Sequence, residues 1–245
     1  MSLKIEHLVG GYTRYPILHD ISMTVDHGET VGLIGLNGAG KSTTIKHIMG
    51  LLKPFSGNIS LNGKKLEEEP NEYRRSIGYV PETPALYEEL TLQEHINMIQ
   101  MSYDLPVERV EKETPELLKL FRLDGKEDWF PSNFSKGMQQ KVMIVCALLT
   151  RPALFVIDEP FLGLDPIAIR DLIEQLDKQK ARGSSILMST HVLSTAEKIC
   201  DRFIILHEGK VLGQGTLEEL QIQYRMPSHV SLDELYIDVT GRGLL

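Results

Sequence analysis

Gly35-Leu36-Asn37-Gly38-Ala39-Gly40-Lys41-Ser42 fits G-x-x-x-x-G-K-[ST], a pattern whose spacing suits phosphate binding. Thr30 to Ile34 before it reads as a short buried strand, and Thr43 to Met49 after it as the first turns of a helix. A glycine-rich turn between them aims consecutive backbone N–H groups, and the positive end of the helix dipole, at one point. Gly35, Asn37, Gly38, Ala39, Gly40 and Thr43 are therefore the expected cradle. Lys41 can reach the β- and γ-phosphates of a nucleoside triphosphate, and the Ser42 hydroxyl is placed to ligate Mg²⁺.

Two further groups carry chemistry. Ala153 to Ile157 is an apolar run that ends in Asp158-Glu159. Beside a phosphate loop, a carboxylate ending a neighbouring strand holds Mg²⁺, which assigns Asp158 to the metal. Glu159 projects past the strand end toward the γ-phosphate, where it can polarise the attacking water. Upstream, Ser135 suits a helix N-cap. Met138, Val142, Val145, Cys146 and Leu149 then form a helical stripe that buries one face. Ser135 and Gly137 at that helix start make a second anion site.

The elements that must position these groups follow from periodicity. Leu3 to Val9 and Ile17 to Val25 alternate as strands, and Asn62-Gly63 signals a hairpin within 58–64. Ser76 to Val80 is another short strand, stopped by Pro81. Leu86 to Leu149 reads as mostly helical, with breaks near Pro106 and around Trp129-Phe130-Pro131. The continuous apolar run 153–157 suits a parallel strand buried on both faces. Helix 166–181, strand 185–189, helix 192–199 and strand 202–206 follow in βαβ order, and Glu208-Gly209 turns a closing hairpin. The expected fold is α/β: a P-loop parallel-sheet core, an N-terminal antiparallel β region and a helical insert.

Composition narrows the partners. The chain has 245 residues and a net charge of -8, from 34 acidic and 26 basic side chains. Such an acidic chain is a poor candidate for wrapping nucleic acid, so none is expected as a partner. The two cysteines, Cys146 and Cys200, lie in apolar helical patterns without C-x-x-C spacing, which fits buried thiols in a reducing compartment. No apolar run approaches the roughly 18 residues of a membrane span. Work at a membrane would need another subunit to hold the protein there.

At this point the chain resembles the ATP-binding cassette family, the ATP-hydrolysing subunits of ABC transporters. The family signature L-S-G-G-Q reads here as Phe134-Ser135-Lys136-Gly137-Met138, so Ser135 and Gly137 are kept and two positions depart. Tyr12 stands where the family places an aromatic that stacks on adenine. Phe161-Leu162-Gly163-Leu164-Asp165 matches the loop that crosses the dimer interface. His191 matches the γ-phosphate-sensing histidine. Glu82 replaces the usual Gln that ligates Mg²⁺, a job a carboxylate can also do.

The resemblance covers about residues 3 to 240. Asn37 to Ile48, Pro84 to Thr91 and Glu159 to Asp165 look most like the ATPases of Ecs-type bacterial ABC transporters. It implies an ATPase domain over 1–220, with a helical subdomain at about 86–150, and a short C-terminal helical extension over 221–245. The capping box at Ser231-Leu232-Asp233-Glu234 and the apolar face Leu232, Leu235, Tyr236 and Val239 give that extension its helix. The resemblance further implies ATP and Mg²⁺ as cofactors and Glu159 and His191 as catalytic residues. Two copies would pair head to tail around two ATP molecules, against a transmembrane permease at the cytoplasmic face of the membrane, with export favoured. A soluble ABC ATPase acting on a macromolecular machine, a P-loop kinase or GTPase, and a non-hydrolysing regulatory cassette are the rivals. The absence of N-K-x-D tells against the GTPase.

Overall fold

The computed structural model describes residues 2–242. Its N-terminal strands are β1 (Leu3–Gly10), β2 (Leu18–Val25) and β3 (Thr30–Ile34), followed by α1 (Lys41–Ile48). Then come β4 (Ser56–Leu61), β5 (Lys64–Lys65), α2 (Pro70–Arg75) and β6 (Ile77–Val80). The helical part holds α3 (Leu92–Tyr103), α4 (Val107–Leu120) and α5 (Lys136–Thr150). β7 (Leu154–Asp158), α6 (Pro166–Ala181), β8 (Ser185–Thr190), α7 (Leu193–Ile199), β9 (Arg202–His207) and β10 (Lys210–Gly215) complete the core. α8 (Leu217–Gln223) and α9 (Leu232–Arg242) close the described chain.

Two sheets result. A six-stranded sheet has the order β10-β9-β3-β8-β7-β6, parallel except for the β9–β10 hairpin. A four-stranded antiparallel sheet has the order β2-β1-β4-β5. β3, β7 and β8 are buried at every position, so apolar residues such as Leu154 to Ile157 and Ile186 to Met188 run consecutively rather than alternate. Both hairpins turn where the sequence signals them. Asn62 and Gly63 have φ of 51° and 80°, and Glu208 and Gly209 have 45° and 71°, the left-handed pair that tight hairpin turns require.

Two short helices escape the sequence reading. α2 spans six residues and opens at Pro70, too short for a helical period to register. α8 is marked only by its capping box, Thr216 with Glu219. α8 runs through residue 220, and Leu220 shares an apolar cluster with Leu232, Leu235, Tyr236 and Val239 of α9. Ile34, Phe203 and Ile205 of the parallel sheet belong to the same cluster. Cys146 and Cys200 are buried free thiols, and burial pushes both up to about 12.

α5 carries much of the contact between the helical insert and the core. Val142 and Val145 of α5 pack with Phe155 and Ile157 of β7 and Met188 of β8. At its N-terminal end α5 also meets the loop 161–165. A Cβ at Gly137 would lie 2.4 Å from the carbonyl oxygen of Gly163, and Lys141 bonds Asp165 at 2.9 Å. That ammonium, with the Ala168 amide, holds the Asp165 carboxyl down at about 2.

A backbone carbonyl has little freedom to yield, so Gly137→Ala must push the 161–165 loop away from α5. Replacing a helical glycine with alanine favours the helix by about 1 kcal/mol. Overpacking at the contact costs about 1–3 kcal/mol. The expected net result is a lower urea midpoint at unchanged m-value. A raised midpoint would mean the contact is slack.

Candidate nucleotide site

The parallel register gathers the predicted groups at one edge. Ile34 of β3 pairs with Thr190 of β8, and Asp158 of β7 pairs with Ser189. Gly35, Glu159 and His191 therefore leave their strands side by side. A cavity of about 560 Å³ opens there, lined by Lys41, Ser42, Glu82, Glu159 and His191 among others. Tyr12, Asn37, Gly38, Gly40 and Thr43 also face it.

The loop is built from conformations that only glycine takes without strain. Gly38 and Gly40 have φ of 86° and 107°, and Gly40 is the N-cap of α1 with no side chain to compete for its amides. Gly35 leaves the strand where a Cβ would fall 2.5 Å from the Leu206 carbonyl oxygen. Ala39 is buried behind the loop. Lys41 is also buried, and its ammonium donates to the Gly35 carbonyl at 2.7 Å.

Glu159 is the hub of the cavity's far wall. Its carboxylate stands 3.0 Å from Nδ1 of His191 and 3.6 Å from Nζ of Lys41, and the side chain is 8% exposed. The His191 amide donates to the other carboxylate oxygen at 3.3 Å. Glu159 itself sits at φ 49°, an uncommon conformation for a residue with a side chain. Its amide meets the Ser189 hydroxyl oxygen at 3.1 Å, which fixes that turn. Strain held by surrounding bonds at a cavity wall is a feature of functional sites. Asp158, buried beside it, accepts a hydrogen bond from the Ser189 hydroxyl.

Tyr12 is half exposed at the cavity mouth. The Lys46 ammonium lies 4.9 Å from its ring centroid and donates to its hydroxyl at 3.1 Å. Bonds to Thr43 and Lys46 hold the phenol below its usual range. Glu82 is exposed on the rim, and the preceding Pro81 carbonyl accepts from the Gln140 side-chain amide of α5 at 3.1 Å. That link between rim and helical insert was invisible in the sequence, because Gln140 stands there as the middle of three polar residues, Gln139 to Lys141, with nothing to set it apart.

The donors expected for Mg²⁺ are Ser42, Asp158 and Glu82, all oxygen, the class that this ion prefers. Among the described residues no cluster of three or more His, Cys, Asp or Glu forms a cage of its own. A hydroxyl and a carboxylate at a phosphate-binding edge still fit an ion that takes its other ligands from phosphate and water.

Ser135 and Gly137 are not among the residues that line the cavity. Ser135 caps α5, its hydroxyl accepting from the Met138 amide at 3.3 Å.

Comparison with known proteins bears on this geometry. The family model for ABC transporter proteins matches residues 18–162. The ABC-type transporter ATP-binding protein EcsA of Bacillus subtilis is 56% identical over 238 residues, 97% of this chain and 96% of that protein. A solved ATP-binding subunit of an ABC transporter superposes with a TM-score of 0.95 at 54% identity, over 98% of this chain and all of that one. A dimeric ATP-binding cassette in a post-hydrolysis state, with ADP and Pi bound, superposes with a TM-score of 0.79 at 27% identity, over 88% of this chain and 98% of its own. The motif-bearing edge, the mixed α/β architecture and these likenesses agree: the chain belongs to the ABC transporter family, as its ATP-binding subunit.

Proposed function

We propose that this subunit hydrolyses ATP in the Lys41 cavity and drives a separate membrane permease, in the direction of export. The observation that carries the reading is Glu159, a buried carboxylate held between His191 and Lys41 at the rim of the phosphate loop. Backbone amides of the loop between Asn37 and Thr43 would receive the phosphates, with the Lys41 ammonium reaching the β- and γ-oxygens. Tyr12 would stack on the adenine, leaving its other face to Lys46. Ser42, Asp158 and Glu82 would hold Mg²⁺, which neutralises charge on the phosphates when bound. Glu159 would accept the proton of the attacking water, and His191 would orient that carboxylate and contact the γ-phosphate.

A second copy completes the site in this reading. Ser135 and Gly137 do not line the cavity of their own chain, so they would serve the cavity of a head-to-tail partner, each pair enclosing two ATP molecules. Similarity to a dimeric cassette with ADP and Pi supports this arrangement. Among the described residues no helix is long and apolar enough to cross a membrane, so a permease would supply the spans. The protein would then work at the cytoplasmic face. Similarity to the Nod factor export ATP-binding protein I of Rhizobium meliloti, 34% identical over 215 residues, supports the lean toward export.

Tyr12→Ala should weaken ATP binding by about 1–3 kcal/mol, the usual worth of base–aromatic stacking. Tyr12→Phe should bind nearly as wild type, since the ring is kept. An equal loss in both variants, read by calorimetric titration, would put the hydroxyl contact with Lys46 in place of stacking.

Glu159→Gln keeps the shape of the side chain and removes its charge. Loss of a general base costs about 10²–10⁴-fold in turnover. ATP affinity should survive, because the loop, Lys41 and Asp158 are untouched. With ATP and Mg²⁺ this variant should elute from a sizing column as a dimer, since hydrolysis is what opens the pair. Wild-type turnover would remove Glu159 from catalysis, and an ATP-bound monomer would contradict the paired arrangement.

A further inference from the structure

The motifs account for the cavity, but not for what holds the phosphate loop in shape. Residues 36–40 include two glycines in the left-handed region, and such a turn is entropically costly to order. A loop already fixed before its ligand arrives binds more tightly, because less freedom is lost on binding. The Ala39 amide donates to the Leu36 carbonyl at 3.1 Å, and the Gly209 amide of the β9–β10 hairpin donates to the Ala39 carbonyl at 2.9 Å. Lys41 holds the Gly35 carbonyl at 2.7 Å with one of its three N–H donors.

One further bond comes from the far end of the chain. The Leu36 amide donates to the hydroxyl oxygen of Tyr236 at 2.8 Å, across 200 residues of sequence. Among the described residues, Tyr236 is the side chain outside the loop and α1 that bonds the loop's backbone. Its ring is buried, and burial raises the phenol above its usual range, so the hydroxyl stays neutral. α9 is itself well anchored. Leu232, Leu235 and Val239 pack with Ile34 and Phe203, and the Leu232 amide donates to the Glu197 carboxylate of α7 at 2.9 Å. Beside Tyr236, a second cavity of about 450 Å³ separates the loop from the outer face of α9, lined by Leu36, His191 and Ile237 among others.

We propose that Tyr236 is a positioning residue for ATP binding: from the C-terminal helix, its hydroxyl fixes the first turn of the phosphate loop. The proposal rests on the reading of residues 35–42 as that loop. Because Tyr236 touches the loop and not the reacting atoms, its bond serves ground state and transition state alike. Its loss should raise KM and leave kcat unchanged.

The test is Tyr236→Phe, which keeps the ring and the packing. A neutral hydrogen bond of this kind is worth about 2- to 10-fold in an equilibrium constant, so Kd for ATP with Mg²⁺ should rise by that factor. Exchange of the Leu36 amide with solvent deuterium should accelerate in the same variant. Tyr224→Phe is the control. That hydroxyl also belongs to the C-terminal part and donates to the Leu212 carbonyl at 2.7 Å, with no contact to the loop. It should leave ATP affinity unchanged. Wild-type affinity in Tyr236→Phe would overturn the proposal, as would an equal loss in Tyr224→Phe, which would make the effect one of general stability. Lys41→Ala separates the two layers of the argument. If it binds ATP as wild type, the loop reading fails; if it loses ATP while Tyr236→Phe does not, only the role of Tyr236 fails.

Discussion

The parallel register of β7, β8 and β3 is the constraint on which the site depends. Asp158 lies opposite Ser189, and Ile34 opposite Thr190, so three chain segments leave the sheet at one level. A slip of one residue in any pair would turn each strand's side chains to the other face. It would also carry Glu159 away from His191. Because these strands are buried on both faces, their apolar residues alone do not select one register, and Ser189 supplies a polar lock by bonding Asp158 and the Glu159 amide together. Acid, histidine and loop are thus positioned by backbone pairing before any side chain adjusts.

The second level is how this rigid edge communicates with the rest of the molecule. Gln140 of α5 grips the Pro81 carbonyl next to Glu82, and Lys141, the next residue, grips Asp165. One turn of one helix therefore touches both the rim of the cavity and the loop that follows Glu159. The close approach of Gly137 to Gly163 leaves no slack at that junction. A change at the cavity that moves either loop must be felt by the helical insert, the property a subunit needs if it is to transmit the state of its nucleotide.

Much of this was legible in the residues. The phosphate loop and Asp158-Glu159 could be placed because each follows a strand whose burial is written in apolar residues, whereas His191 was placed by the family resemblance. α6 occupies the expected span 166–181, with Asp165 capping its start by accepting from two backbone amides. What stayed hidden was long-range or very short. Sequence periodicity says nothing of a hydroxyl from residue 236 meeting the amide of residue 36, and the turns of α2 and α8 are shorter than the window in which a helical period emerges. The left-handed φ of Glu159 is equally silent, since no glycine or asparagine announces it.

Ser135 and Gly137 do not line the cavity of their own chain, and the account gives them to a partner's. Mixing two damaged subunits tests this most directly. Lys41→Ala spoils the phosphate loop and Ser135→Arg spoils the α5 end, and each variant alone should be inactive. In a mixed pair, one site inherits both lesions and the other inherits neither. ATPase activity should therefore reappear when the two purified variants are combined, and should pass through a maximum near equal proportions. A mixture as inactive as its parts, with each variant still folded, would contradict the shared site.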